Sequence, residues 1–147
     1  MSETTETRTK RNGVCVCGAV KITATQASNH VGACHCGTCR KWGGGPFVEI
    51  ECGAEVEFDG EESISVFNSS DWAERGFCKQ CGTHLFYRMK ENKAHYMPIG
   101  LFDNDPDFVF ARQVFVDEKP HYYNFVEKTE NFTGPEVFAM FSSPSDS

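Results

Sequence analysis

The residues best suited to chemistry lie in one short stretch, Cys34-His35-Cys36-Gly37-Thr38-Cys39. Three thiols fall within six residues, and thiolates at positions i, i+2 and i+5 of a tight loop can converge on one soft cation such as Zn²⁺. Three ligands are one short of the tetrahedron of a closed structural zinc site, whereas a catalytic zinc site keeps one position open. The stretch therefore predicts a metal site whose role depends on whether a fourth protein ligand completes it.

The other cysteines form two close pairs, Cys15-Val16-Cys17 and Cys78-Lys79-Gln80-Cys81, and a single residue, Cys52. Spacing permits two ways of grouping these thiols. One grouping joins Cys36 and Cys39 to the later pair, although the loop between them is longer than the roughly 15–20 residues of a compact zinc ribbon. The other joins the two pairs to each other and leaves the dense stretch as a separate three-thiol site. On spacing alone the two groupings are equally good.

The composition is that of a globular, aromatic-rich and acidic protein. Hydrophobic residues make up 39% and aromatic residues 13% of the 147 residues, which is enough for one domain with its own core. The net charge of −7 argues against broad binding to nucleic acids or anionic membrane surfaces. No apolar run reaches the roughly 20 residues of a membrane-spanning helix. The sequence thus predicts neither a nucleic-acid partner nor a membrane partner, and it gives no indication of the oligomeric state.

The N-terminal sequence decides how the eight cysteines are interpreted. Residues 1–7 are polar and contain no apolar segment of the kind found in a secretory signal. A chain without an export signal is expected to be cytoplasmic, where cysteines stay reduced. Closely spaced reduced cysteines favour metal binding or redox chemistry over disulfide bonds.

The apolar pattern predicts a mainly β protein with short strands and frequent turns. Val20, Ile22 and Ala24 alternate with polar residues, which is typical of a half-buried strand. Arg40–Trp42 predicts one helical turn, which the following glycines and proline end. A zinc-binding β domain is expected at residues 13–141, between disordered tails at residues 1–12 and 142–147. Further strands are predicted at 47–50, 55–59, 64–67, 85–89 and 96–101, short late strands at 109–110 and 114–116, and a loop at 26–29.

Three motifs together resemble those of a known family. They are Cys15-x-Cys17-Gly18, then Cys34-His35-Cys36-x-x-Cys39-Arg40-Lys41, and then Phe77-Cys78-x-x-Cys81-Gly82-Thr83-x-Leu85. Their order and spacing resemble the glutathione-dependent formaldehyde-activating enzyme family, which includes the centromere protein V domains. The resemblance extends over roughly residues 13–126 of the chain.

The resemblance implies a β-tent-like single domain of short antiparallel strands held by zinc knuckles. It also implies two zinc ions per chain, and it favours the second grouping of the thiols over the first. The ligands that it implies are Cys15, Cys17, Cys78 and Cys81 for a structural zinc, and Cys34, Cys36 and Cys39 for a second, catalytic zinc.

The activity implied by the resemblance is that of a carbon–sulfur lyase that forms or cleaves S-hydroxymethylglutathione, the adduct of formaldehyde and glutathione. The partner is then glutathione or a related small thiol adduct. Because glutathione carries two carboxylates, Arg40 and Lys41 are candidate contacts for it, although solvated surface charge explains both residues equally well. The alternative function is a non-catalytic zinc-binding module that presents a surface to a partner.

The sequence leaves rival interpretations of the three-thiol stretch open. Cys52 can supply the fourth ligand of a closed site, although a lone cysteine after a strand is more often a buried thiol. Cys36 and Cys39 can form a redox pair, but a simple dithiol switch does not need Cys34. His35 lies between two ligands and is expected at the surface, or as a residue that supports the metal site without binding the ion.

Overall fold

The structure, a computed structural model, describes residues 5–142, most of which lie in short β-strands. Contacts between Cα atoms divide them into two compact units, one of residues 5–30 and 49–109 and the other of residues 31–48 and 110–142. The mainly β fold class predicted from the sequence is confirmed. Between residues 5 and 142, no helix combines the length and the apolar character that crossing a membrane requires.

The described part of the chain contains eleven strands and two α-helices. The helices are α1 (Gly37–Gly43) and α2 (Gly134–Ser142), and 3₁₀ turns lie at Glu61–Ser63, Ile99–Leu101 and Val116–Glu118. The strands are β1 (Arg8–Val14), β2 (Lys21–Ser28), β3 (His30–Cys34), β4 (Phe47–Gly53), β5 (Val56–Asp59), β6 (Ile64–Phe67), β7 (Ala73–Cys78), β8 (His84–Met89), β9 (His95–Pro98), β10 (Val109–Val114) and β11 (Glu130–Phe132).

The structure corrects several predicted boundaries. Strand β1 contains residues 8–12 of the predicted disordered N-terminal tail, because it pairs along its length with β2. Strand β2 continues to Ser28 through most of the predicted 26–29 loop and buries Ala27 there. In place of the two predicted late strands there is one strand, β10, which ends at Val114, and Val116 begins a 3₁₀ turn. Of the predicted tails, residues 1–4 and 143–147 lie outside the described residues.

The first unit is built from antiparallel strands around an apolar core. Strands β1, β2 and β5 form one sheet in that order, and β4, β9, β8, β7 and β6 lie side by side in a second sheet. The alternation predicted for the second strand is confirmed, since Ile22 and Ala24 are no more than 1% exposed while Lys21 is exposed. Phe86 fills the space over Gly76, where an added Cβ would lie 2.2 Å from a ring carbon.

The second unit places a short helix directly after a strand. Strands β11, β10 and β3 are neighbours in that order, and β10 and β11 run parallel. Helix α1 starts three residues after β3 ends, so the dense cysteine stretch spans a strand-to-helix turn. Gly44 ends the helix with a positive φ of 88° and donates its N–H to the Arg40 carbonyl at 2.8 Å, as the predicted glycine turn requires.

Candidate metal centre

Two similar loops bring the first and last cysteine pairs together in the first unit. In one loop, Gly18 adopts a φ of 84° and donates its N–H to the Cys15 carbonyl at 3.2 Å. In the other, Gly82 adopts a φ of 83° and donates to the Cys78 carbonyl at 2.7 Å. Glycine is favoured at both corners because other residues are strained at positive φ. The resulting four-thiol cluster consists of Cys15, Cys17, Cys78 and Cys81.

The sulfur positions of the four-thiol cluster match a tetrahedral zinc site. All four Sγ atoms lie within 4.8 Å of one another. The Sγ of Cys17 is 3.6 Å from that of Cys15 and 3.7 Å from that of Cys78. Zn–S bonds of about 2.3 Å in a tetrahedron place the sulfurs about 3.8 Å apart. The donor set therefore fits one zinc ion with no vacant position.

Neighbouring groups support the sulfurs of the four-thiol cluster. Thr83 Oγ1 accepts the Val16 N–H at 3.1 Å and lies 3.0 Å from the Cys81 sulfur. The hydrogen bond from the Thr83 hydroxyl lowers the pKa of Cys81 to about 5 and so favours the thiolate that a metal binds. Thr83 thus connects the two cysteine loops and favours the charge state required for binding.

The remaining clustered thiols converge in the second unit. The three-thiol cluster consists of Cys34 at the end of β3, Cys36 at the N-cap of α1 and Cys39 in its first turn. Their Sγ atoms lie within 4.8 Å of one another, and the Cys36 sulfur accepts the Cys39 N–H at 3.4 Å. The strand-to-helix turn therefore positions all three sulfurs with local backbone geometry.

Cys34 and Cys36 differ in acidity because the thiols of the cluster share hydrogen bonds. Hydrogen bonds from Cys34 and then from Cys39 lower the pKa of Cys36 to about 2. The same contacts, with burial, raise the pKa of Cys34 above its usual value. One negative charge is therefore held on Cys36 at neutral pH, and the cluster offers a soft anionic site for a cation.

No fourth protein ligand joins this cluster among the residues that the structure describes. Cys52 is fully buried, its Sγ donates weakly to the Ile50 carbonyl at 3.8 Å, and burial raises its pKa to about 12. It is therefore the lone buried thiol that the sequence favoured, and the interpretation of Cys52 as a fourth ligand is wrong. The donor set of three thiolates fits a zinc site with one open position.

His35 is the main departure from the sequence-based expectation for this stretch. Its side chain is 0% exposed, so the predicted surface position is wrong. Its Nε2 lies 2.8 Å from Gln113 Oε1 and its Nδ1 lies 2.9 Å from the Tyr123 hydroxyl oxygen. Burial lowers its pKa. His35 supports the turn between two cysteines by anchoring it to residues 78 and 88 positions along the chain.

The candidate glutathione contacts occupy different environments. Arg40 is half-buried, and its Nε donates to the His35 carbonyl at 3.0 Å, directly beside the cluster. Lys41 is exposed near the end of α1. A second nearby cation, Lys119, was missed because it is distant in sequence, and its Nζ donates to the carbonyls of Pro120 and Tyr123 at 2.9 and 2.6 Å.

Glu118 fixes the start of α1 from outside the helix. Its Oε1 accepts the Gly37 N–H at 2.9 Å, between the second and third cysteines of the cluster.

The other histidines take no part in either cluster within the described residues. His84 donates its Nε2–H to the Phe86 carbonyl at 3.0 Å.

Comparison with known proteins shows which family this sequence resembles. The sequence model of the family described as glutathione-dependent formaldehyde-activating enzyme matches residues 10–118. An uncharacterized lyase of Schizosaccharomyces pombe is 36% identical over 126 residues, which cover 85% of this chain and 92% of the relative. A Podospora anserina protein provisionally named a glutathione-dependent formaldehyde-activating enzyme is 31% identical over 102 residues, covering 66% of this chain and 44% of that protein.

A solved structure shares the fold. The crystal structure of a Rhodobacter sphaeroides protein superposes with a TM-score of 0.54 at 21% identity, covering 65% of this chain and 91% of that one. At this identity the likeness concerns the fold alone. The family model extends over most of the chain and over both cysteine clusters, and the fission-yeast relative covers 85% of the chain. The chain therefore belongs to the glutathione-dependent formaldehyde-activating enzyme family.

Proposed function

We propose that this protein is a zinc-dependent carbon–sulfur lyase that forms or cleaves S-hydroxymethylglutathione at its three-thiol cluster. The main support is the incomplete ligand set, since three sulfurs converge and no fourth protein ligand joins them in residues 5–142. Family membership and the lyase name of the fission-yeast relative support the reaction class. The family description supports glutathione and formaldehyde as the reacting compounds.

Each cluster would hold one zinc ion, with different consequences. Cys15, Cys17, Cys78 and Cys81 would surround the ion completely, which suits a structural role. A zinc ion on Cys34, Cys36 and Cys39 would offer one open position that lowers the pKa of an incoming thiol. Three thiolates neutralise much of the zinc charge, so binding and orientation of the thiol are favoured over activation of a carbonyl group.

The proposed reaction needs no oxidant or reductant. In the cleavage direction, the electron pair of the C–S bond passes to sulfur, the hydroxyl oxygen forms a second bond to carbon, and the proton that the hydroxyl loses ends on the sulfur. The products are formaldehyde and the glutathione thiol, and the addition direction reverses each change. Because thiol addition to formaldehyde is intrinsically easy, the residues of the site act mainly by bringing the two reactants together.

Arg40 is the better placed of the two predicted cationic contacts. Its Nε is held by the His35 carbonyl, which fixes the guanidinium beside Cys34 and Cys36. In this position we expect it to offset the negative charge of the cluster and to attract a glutathione carboxylate. Lys41 is exposed and would add only a screened, long-range attraction.

The proposed function is tested by exchange NMR on mixtures of glutathione and formaldehyde at equilibrium. The rate of interconversion between glutathione and its adduct is expected to rise with zinc-loaded wild-type protein. Cys36→Ala is expected to return the rate to the uncatalysed value, whereas the matched control Cys52→Ala keeps the acceleration. A zinc-loaded wild-type protein without acceleration would instead favour the non-catalytic zinc-binding module, and full activity of Cys36→Ala would place the reaction elsewhere.

A further inference from the structure

Two backbone N–H groups that alternate with the cysteines of the three-thiol cluster are bound by one segment distant in sequence. His35 donates its N–H to the Val114 carbonyl at 3.1 Å, and Gly37 donates its N–H to Glu118 Oε1 at 2.9 Å. Val114 ends strand β10, and Glu118 ends the 3₁₀ turn that follows it. The backbone on both sides of Cys36 is therefore held by the same short segment of the second unit.

Helix α2 is attached to that segment as well. Gly134, at the start of α2, donates its N–H to Asp117 Oδ1 at 2.7 Å. The Phe115 ring meets the Phe138 ring edge to face, with centroids 5.7 Å apart. A Cβ added at Gly134 would lie 2.9 Å from two carbons of the Phe115 ring, so the helix start packs directly on this ring. Two adjacent carboxylates thus bind the first turns of two different helices, Asp117 that of α2 and Glu118 that of α1.

The backbone of Phe115 is strained where the segment turns. Its φ of 57° and ψ of 42° lie in the left-handed region, which a bulky side chain disfavours. Such a conformation persists only where the surrounding structure enforces it. Gly134 and Phe138 of α2 pack on the ring, and the Phe115 carbonyl accepts the Glu118 N–H at 3.0 Å. A change in the packing of α2 is therefore transmitted through Phe115 to the turn that carries Glu118.

We propose that Glu118 is a positioning residue for the three-thiol metal site, and that helix α2 acts on this site through the Val116–Glu118 turn. The proposal rests on the metal binding proposed for the three-thiol cluster. By binding the Gly37 N–H, Glu118 holds the backbone next to Cys36 in the orientation that brings the Cys36 sulfur to the Cys39 N–H and to the other two sulfurs. The packing of α2 then sets how firmly the second zinc ion is retained.

The first test removes the carboxylate and follows the metal rather than the reaction. Protein loaded with ¹¹³Cd is expected to give one NMR signal for each cluster, and Cys36→Ala identifies the signal of the three-thiol cluster by its absence. Glu118→Ala should shift this signal and leave the other in place. In competition with a chelator, it should also raise the dissociation constant of the second zinc ion about five- to tenfold, near the lower end of the cost of losing a hydrogen bond that supports a metal site.

Two further variants separate the hydrogen bond from the charge. Glu118→Gln keeps an oxygen that can accept the Gly37 N–H, so it should restore most of the affinity for the second zinc ion. Glu127→Ala removes an exposed carboxylate from the same unit and is the matched control. Because Glu118 is itself exposed, we expect its variants to fold.

The second test acts on the site from the side of α2. Gly134→Ala places a methyl group against the Phe115 ring without changing a charge, and it should weaken binding of the second zinc ion. Gly45→Ala adds the same group in the same unit, where nothing lies within 4 Å, and should leave the affinity unchanged. In the Glu118→Ala background, Gly134→Ala should lose most of its effect, because residues that act through one path are not additive.

The outcomes separate this proposal from the proposed reaction. An unchanged ¹¹³Cd signal and zinc affinity in Glu118→Ala would overturn it, and so would a variant that releases both ions equally as it unfolds. Equal effects of Gly134→Ala in both backgrounds would overturn the path through Glu118. If Gly134→Ala does not fold, Asp117→Ala takes its place, since it removes the acceptor of the Gly134 N–H. A wild type that does not accelerate the glutathione exchange would overturn the lyase reaction alone, whereas a wild type without a second ion would overturn both.

Discussion

His95 illustrates how a single buried side chain makes stability depend on pH. The residue is 3% exposed, its Nδ1 donates to the Gly53 carbonyl at 2.9 Å, and its ring packs near Phe58 and Phe86. Burial lowers its pKa below the ordinary value of 6.5. As the pH falls, the unfolded chain therefore takes up a proton before the folded chain does.

The free energy of unfolding is accordingly expected to be highest above about pH 6.5 and to decrease as the pH falls toward the lowered pKa of His95. His95→Gln removes this contribution, so its stability should fall less steeply than that of wild type between pH 7 and pH 5. Urea unfolding at several pH values checks the prediction. Comparing the two proteins at each pH cancels the loss of zinc that acid causes in both, and parallel curves would contradict it.

The sequence was sufficient at the residue scale for the thiols but not for the groups around them. The three-thiol cluster follows from a motif of six residues, and a turn brings together the members of each pair in the four-thiol cluster, but spacing alone did not show that the two pairs join, which only the family resemblance implied. For His35 the sequence left a surface position and a supporting role open, because its partners Gln113 and Tyr123 come from distant positions. No local pattern distinguishes a histidine that will be buried by such partners from one that remains at the surface.

At the scale of elements, the packing of β7 on β8 depends on the absence of a side chain at Gly76. An added Cβ would lie 2.2 Å from Phe86 Cζ, and Phe86 is only 1% exposed and has no room to move. Strand β7 ends at Cys78, so any displacement of this strand also reaches the four-thiol cluster. A side chain at position 76 is therefore expected to disturb both the packing of β7 on β8 and the cysteine loop that follows β7.

Gly76→Ala is expected to lower the free energy of unfolding by about 1–3 kcal/mol, the usual cost of overpacking a core. Gly100→Ala is the matched control, because an added Cβ meets nothing within 4 Å there, and it should change stability by less than about 0.5 kcal/mol. Urea unfolding of the zinc-loaded proteins measures both. Equal effects of the two substitutions would show that Phe86 moves aside.

Elements with a regular apolar pattern were predicted well, and elements defined by long-range pairing were not. The strand at Ile64–Phe67 has the predicted bounds, and the helical turn at Arg40–Trp42 lies inside α1. Strand β1 was missed because its sequence, RTKRNGV, is polar and its conformation comes from pairing with β2. Strand β11 has only three residues and depends in the same way on β10.

At the scale of the whole molecule, the two clusters predict two zinc ions held with different strength. The four-thiol cluster includes two exposed thiols, Cys17 and Cys81, so burial would not protect a metal ion bound there from a chelator. Coordination decides instead, because a chelator must displace a sulfur from a four-ligand site but can bind directly at an open position.

Metal analysis is therefore expected to give two zinc ions per chain, of which a mild chelator removes one without unfolding the protein. Cys36→Ala should contain the resistant ion alone. Loss of the resistant ion is expected to unfold the chain, since structural zinc contributes on the order of 10 kcal/mol to folding. Two ions that leave together, or two that both resist the chelator, would contradict the difference between the sites.

The two clusters also differ in when the chain can complete them during synthesis. The last ligand of the four-thiol cluster is Cys81 and the threonine that connects its loops is Thr83, whereas the three-thiol turn is anchored by Gln113 and Tyr123. At about 5–20 residues per second, the ribosome adds the intervening residues in a few seconds. The nascent chain can thus capture its first zinc while the three cysteines of the later site, although made much earlier than Cys78 and Cys81, still lack the residues that hold them. An early supply of metal would therefore close the first cluster before the second has all of the residues that anchor it.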